Sequence, residues 1–361
     1  MTNENRKSSV SSQTVINSLT GIKAIAMLLL FWWHSSIPSP NVDLGARTCE
    51  LLFVTSGFLV GYNYYSKDIL TTWNASFEYF FKKVIKFWPL HILVLFLMLL
   101  VTFVLNGCLT VENLLVGIVN GLLLQAWSHN PDVYFSYNGA SWFLSALVFC
   151  YFMSPLLLRF SKKVKQSIIL FVIVFAIRYF LEYLNVNCTY DIFDIHIHIS
   201  PIIRCLEFFM GMLIIPLFIS IRDKKLITDY LVNSIVELLT MVITVFFVIQ
   251  EQGKWLRGTF VILFCAFVFI FAFNSGLISK IFSLKIFKLF GKIQFEFFIF
   301  HQALIVCITG VCSSFIFDWR ILNLIIFVSI ILCSIIYKIF FENRLSIITK
   351  KGIEFLIKTI K

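Results

Sequence analysis

Runs of apolar residues, each about 17 to 22 long, recur from end to end of the chain, with short polar stretches between them. A run of that length crosses ~30 Å of hydrocarbon as an α-helix rising 1.5 Å per residue. Eleven such runs can be counted. The first, residues 22–36, is read as a retained span, because no small-residue cleavage site follows it and a second run begins almost at once.

The polar stretches orient the spans, since Lys and Arg in short loops are retained on the cytoplasmic side. Basic clusters stand at Arg6 and Lys7; at Lys82, Lys83 and Lys86; at Lys162, Lys163 and Lys165; at Arg222, Lys224 and Lys225; at Lys280, Lys285, Lys288 and Lys292; and near the C-terminus. Residues 38–43, 128–141 and 185–200 have almost no Lys or Arg, and the last of these stretches carries Asp191 and Asp194. Eleven full crossings would place the Lys162 cluster outside, so one run must not cross. The weakest is 111–127, which is broken by Asn113, Gly117, Asn120, Gly121 and Gln125. It reads as a re-entrant or tilted half-span entered from outside, whose polar backbone must be buried in protein or face a watery cavity.

The expected fold is therefore all-α: a polytopic transmembrane helix bundle of about ten spanning helices plus one half-spanning segment. Residues 1–361 would form one membrane-embedded domain, with 1–15 as a short cytoplasmic tail and both termini inside. Lys254 and Arg257 are the one outward exception.

Composition agrees. With 59% hydrophobic residues, 14% charged and a mean hydropathy of +0.90, the 361 residues hold more apolar surface than a soluble core could hide. The net charge of +11 sits in loops between spans, which topology explains and nucleic-acid binding does not. Nine cysteines without CxxC spacing suggest small apolar fillers rather than a zinc site or a disulfide framework.

Ionisable groups inside a membrane are costly unless paired or hydrated, so each is a functional candidate. Lys23 and His34 stand eleven residues apart in the first span, about 16 Å along the axis and on nearly the same face. Glu50, Phe53, Ser56 and Gly57 follow in the second span, which runs the other way and brings Glu50 to about the depth of His34. A carboxylate there could orient the imidazole. Taken singly, Lys23 reads equally well as a snorkelling anchor, and a histidine at a helix end is more often an interfacial residue. His196 and His198 form a pair without a third ligand nearby, so no metal site is expected. His129 lies in an expected outer loop, and His91 at a helix start.

With these residues the chain resembles the integral-membrane acyltransferase-3 family, and the likeness covers nearly its whole length. The segment GIKAIAMLLLFWWH resembles the family's basic-x10-His motif through Lys23 and His34. CELLFVTSGFLVG is similar to the acidic-x-x-Phe-x-x-Ser-Gly-Phe signature, through Glu50, Ser56 and Gly57. KKVIKFWPLHIL matches the basic stretch ending in proline, through Lys82, Lys83, Lys86 and Pro89. SWFLSALVFCYFMSPLLL carries Trp142, Ser145, Tyr151 and Pro155; IRCLEFFMGMLI carries Arg204 and Glu207; FGKIQFEFFIFHQALI ends its motif at His301. Two positions depart from the pattern: Leu147 and Val148 stand where many members have a glutamate, and Gln294-Phe295 replaces the usual Ser-Tyr.

The resemblance implies O-acylation of a cell-surface or lipid-linked carbohydrate from acyl-CoA, with acetyl as the expected group and acetyl-CoA as co-substrate rather than a tightly bound cofactor. His34 would deprotonate the acceptor hydroxyl or transiently carry the acyl group, with Glu50 beside it. Lys23, Lys82, Lys83 and Lys86 would hold the donor's phosphates; a positive-inside anchor is the other reading of that cluster. Arg204 and Glu207 would hold acceptor hydroxyls or pair with each other. Trp142 would stack on a sugar face or belong to the interfacial belt, and His301 would position acceptor or donor or make a buried hydrogen bond. Expected partners are the bilayer and polysaccharide-assembly proteins, in a bacterial cytoplasmic membrane. Some members append an extracytoplasmic hydrolase-like domain; none is expected here. A transporter or flippase for a lipid-linked sugar is the alternative, which would call for repeat symmetry and paired broken helices.

Overall fold

The computed structural model describes residues 15–347 except 36, 39–41, 67–71, 188–197, 227–228, 251–257, 313, 316–317 and 346. The expectations placed on Arg6, Lys7, Asp191, Asp194, His196, Lys254, Arg257 and the tail before Val15 concern residues outside this set. The described chain forms helices α1 (Asn17–His34), α2 (Leu44–Tyr64), α3 (Trp73–Val84), α4 (Trp88–Asn106), α5 (Val111–Gly121), α6 (Pro131–Tyr134), α7 (Trp142–Phe160) and α8 (Val164–Asn187). They continue as α9 (Pro201–Leu213), α10 (Ile215–Asp223), α11 (Tyr230–Ile249), α12 (Phe260–Ala272), α13 (Leu277–Phe282), α14 (Lys285–Cys312) and α15 (Trp319–Ile336).

Among the described residues there is no strand, and eight helical segments are long and apolar enough to cross a membrane: α2, α4, α7, α8, α9 with α10, α11, α14 and α15. The all-α polytopic bundle read from the sequence is thus the observed architecture. α1 is 18 residues long but carries Lys23 and polar ends, and α12 is an apolar helix of 13 residues. The chain is a multi-pass membrane protein.

Two sets of helices differ in what they touch. The apolar window of α2 is 83% buried, whereas that of α11 is 17% buried. Ile168, Ile169, Val172 and Ile173 of α8 stay exposed, as do Leu238, Leu239 and Val242 of α11, which is where lipid tails replace protein neighbours. The centre is built on α2 and α9, whose backbones press together at Gly57 and Gly211. A Cβ on Gly57 would lie 1.8 Å from the Phe208 carbonyl oxygen, and one on Gly211 would lie 2.1 Å from that of Val54. Small residues allow this approach, and no side chain could be added without separating the helices.

The segment expected as a half-span is short. α5 has eleven residues, about 16 Å, half of a hydrocarbon core. Beyond it the chain turns through Leu123 at φ 56°. Its freed carbonyls are taken up by side chains of the flanking helices: His91 Nε2 lies 2.8 Å from the Asn120 oxygen, Trp88 Nε1 donates to Gly121 at 2.9 Å, and Ser145 Oγ donates to Leu123 at 2.6 Å. Non-helical backbone is therefore satisfied by protein, as a membrane interior requires. His91, read as a helix-start residue, does stand in the first turn of α4.

α3 is a twelve-residue amphipathic helix that carries Lys82 and Lys83 in its last turn. Trp73 and Phe77 are exposed along it, while Tyr79 is buried against Tyr64 with ring centroids 4.9 Å apart.

Candidate functional site

Helices α1, α2, α7 and α14 enclose two cavities, one near each end of α1. The first, of about 110 Å³, is lined by Leu30, Trp33 and His34 of α1, Gly45, Ala46 and Cys49 of α2, and Trp142 and Phe143 of α7, together with Asp43, His198, Phe298 and His301. The rings of His34 and His301 lie 5.3 Å apart at 45°. Asp43 caps α2 by accepting from the Ala46 amide at 2.9 Å and shares this cavity with His34.

Trp142 is buried against the ring of His198, 5.1 Å away, and so is a wall of the cavity rather than a residue of the interfacial belt. His198 is held in turn by Arg204, whose Nε donates to its carbonyl at 2.7 Å and whose guanidinium meets its Nδ1 at 2.9 Å. A guanidinium can only donate, so Nδ1 accepts and the imidazole is neutral there. Burial, with Arg204, Arg47 and Arg178 facing it, holds His198 well below the ordinary histidine range.

Glu50 is not brought to His34. Its ion-pair partners among the described residues are Arg47 at 2.7 Å, Arg178 at 3.6 Å and Arg204 at 4.0 Å. The same cluster continues through Arg204–Glu207 at 2.6 Å, Arg178–Glu207 at 3.1 Å and Arg178–Glu182 at 2.7 Å. Three arginines and three glutamates thus neutralise one another, each under 9% exposed, between α2, α8 and α9. Single buried charges are too costly to leave unpaired, and this arrangement leaves none of the six alone. Arg204 and Glu207 realise the internal-pair reading; neither lines the cavity, so the expected contact with acceptor hydroxyls is not made there. Their contribution is to fix the wall that His198 and Trp142 present.

The second cavity, of about 600 Å³, lies at the other end of the same helices. It is lined by Asn17, Thr20 and Lys23 of α1, Ser56 and Asn63 of α2, Lys83 of α3, Tyr151 of α7, and Lys288, Lys292 and Gln294 of α14. Of the four lysines expected to serve the donor, Lys23 and Lys83 meet here. Lys82 instead points away, 69% exposed and paired with Glu78 at 2.5 Å, and the exposed Lys86 does not line the cavity. The helical turn separates them: on α3, only the face with Tyr79 and Lys83 turns inward, and Lys83 Nζ lies 5.0 to 5.5 Å from the rings of Tyr64, Tyr79 and Tyr151. Lys288 and Lys292 line the cavity as well.

Between the cavities stands Phe53, fully buried, four residues from Cys49 and three from Ser56 on one face of α2. Its ring packs 4.4 Å from that of Phe143, which packs 5.2 Å from that of Phe298.

Several residues of this region went unremarked in the sequence. Arg47, Arg178 and Glu182 carry the same signal that singled out Lys23 and His34, namely charge within an apolar run. Lys288 and Lys292 also line the second cavity, and in the sequence they stand in a basic cluster that membrane topology alone accounts for.

A family model described as an acyltransferase domain matches residues 16–339. The acyltransferase MdmB of Streptomyces mycarofaciens is 28% identical over 170 residues, a match that covers 41% of this chain and 40% of that protein's length. No solved structure matches.

Proposed function

The chain belongs to the acyltransferase-3 family, and from that premise we propose that this membrane acyltransferase moves an acyl group, most simply acetyl, from acyl-CoA to a hydroxyl of a cell-surface or lipid-linked carbohydrate. The observation that carries the reading is the pair of cavities threaded by α1, α2, α7 and α14: a lysine-lined one at one end and a histidine-lined one at the other.

The donor's phosphates suit Lys23, Lys83, Lys288 and Lys292, which offer point charges around a space of about 600 Å³. An extended pantetheine arm then has about 16 Å to cover from Lys23 to His34. His34 is the imidazole that serves the transfer, as base toward the hydroxyl or as transient acyl carrier. Trp142 supplies an aromatic wall for a sugar ring. By the positive-inside rule the lysine end faces the cytoplasm, where acyl-CoA is made, and both termini are cytoplasmic. The protein then works in the cell membrane as one membrane-embedded domain, beside polysaccharide-assembly proteins that present the acceptor.

The test compares surface-glycan O-acylation by NMR in wild-type cells, a null strain and His34→Ala. O-acyl signals lost in both altered strains are expected; signals unchanged in the null, or full in the mutant, would sink the proposal.

A further inference from the structure

Resting on the acyltransferase reading above, we propose that His301 is the group that takes the proton from the acceptor hydroxyl, which leaves His34 to handle the acyl group. His301 lies on α14, 1% exposed, and yet lines the histidine cavity. Its Nδ1 is 2.5 Å from the carbonyl oxygen of Phe298, three residues back on the same helix. A carbonyl has no proton to give, so Nδ1 must carry one, and the neutral ring is left with its lone pair on Nε2. The helix itself thus selects the tautomer.

That lone pair is unused. Nε2 is buried and has no hydrogen-bond partner among the described residues. Buried acceptors are usually paired, and one that lines a cavity is placed to accept from a donor that enters it. The other titratable groups that face the cavity are His34 of α1, Asp43 and Cys49 at the start of α2, and His198 before α9. Asp43 is engaged as the cap of α2, and His198 already accepts from Arg204. The rings of His34 and His301 lie close, with centroids 5.3 Å apart and no hydrogen bond to Nε2, so an oxygen that meets Nε2 sits beside the two rings, in the cavity that both line.

His34 first attacks the thioester carbonyl: a C–N bond forms, the C–S bond breaks, and the thiolate leaves with the proton that the imidazole carried. A hydroxyl beside His301 then breaks its O–H bond toward Nε2 as its oxygen bonds the acyl carbon, the C–N bond to His34 breaks, and the freed imidazole takes the proton from the His301 imidazolium. The products are a free thiol and an ester, and both histidines are neutral again.

The test uses the purified full chain with acetyl-CoA as donor, water or glucose as acceptor, and release of free thiol as the readout. His301→Asn keeps a donor for the Phe298 carbonyl but has no atom at the Nε2 position, and His301→Gln reaches that position with an amide that has no basicity. Both are expected to unfold at the wild-type temperature and to change KM for acetyl-CoA less than about threefold. Their kcat should fall about 10²- to 10⁴-fold, with the acidic limb of the kcat profile lost. The assignment is overturned if either variant keeps kcat within about threefold of wild type with the same limb. It is equally overturned if lost activity merely tracks lost folded protein. Wild-type protein that binds acetyl-CoA and never turns it over would overturn the acyltransferase reading itself, and this assignment with it.

Discussion

Arg178 of α8 and Glu207 of α9 are joined at 3.1 Å with no more than 1% of either side chain exposed. The pair fastens a lipid-facing helix to the central one, and its loss would leave a charge stranded in the bundle. Glu207→Gln or Arg178→Met alone should each lower stability by about 3–5 kcal/mol, because the partner stays buried and charged. The double variant should cost less than the two single losses combined, as in any directly coupled pair. A double-mutant cycle on thermal unfolding in detergent measures this, and simple additivity would show that the two residues act separately.

Lysines of the large cavity should be separable from those beside it. Substituting Lys23, Lys288 or Lys292 by Gln removes one charged hydrogen bond to a phosphate, worth about 1.5–3 kcal/mol, so acetyl-CoA should bind roughly 10- to 100-fold more weakly. Lys82→Gln and Lys86→Gln should stay within about twofold, since both side chains lie outside the cavity. Titration calorimetry distinguishes the two sets; equal losses in both would mean that a diffuse basic surface, not the cavity, attracts the donor.

His198 gives the fold a dependence on acid. Held neutral by burial and by Arg204, Arg47 and Arg178, it does not take the proton that the unfolded chain takes near pH 6.5. Its contribution is therefore fully present above about pH 6.5 and is lost as the pH falls below it, by at most about 1.4 kcal/mol per pH unit. The unfolding temperature should drop between pH 7.5 and 5.5 in the wild type, and less so in His198→Asn, which keeps an acceptor for Arg204. An equal drop in both proteins would assign the effect to other groups.

Residues that act within one helix were readable from spacing. Lys23 and His34 lie about 16 Å apart on nearly one face of α1, a placement readable because eleven residues of helix can be laid out without knowing any neighbour. The broken run 111–127 was readable for a similar reason: asparagine, glutamine and glycine at that density do not make a spanning helix, and α5 duly stops at Gly121. Lys82 and Lys83, by contrast, are adjacent in the sequence and opposite in fate, because α3 turns one toward Glu78 and solvent and the other toward three tyrosines.

Partners across helices were not readable. Equal depth in the membrane suggested Glu50 for His34, but depth fixes one coordinate of three. The rotation of α2 was decided by the close approach of Gly57 to the Phe208 carbonyl, which turns Glu50 toward α8 and α9 and leaves Asp43 at the histidine cavity.

The sequence by itself determined that this is a multi-pass helical membrane protein with a broken segment, and its ordered motifs marked the family, because hydropathy and spacing act along the chain. Only the tertiary structure decided which charges neutralise one another, which lysines share a cavity, and that His34 meets His301 rather than Glu50. Those choices depend on how each helix is rotated against its neighbours, and that rotation is set by side-chain volume and close backbone contact between segments far apart in sequence.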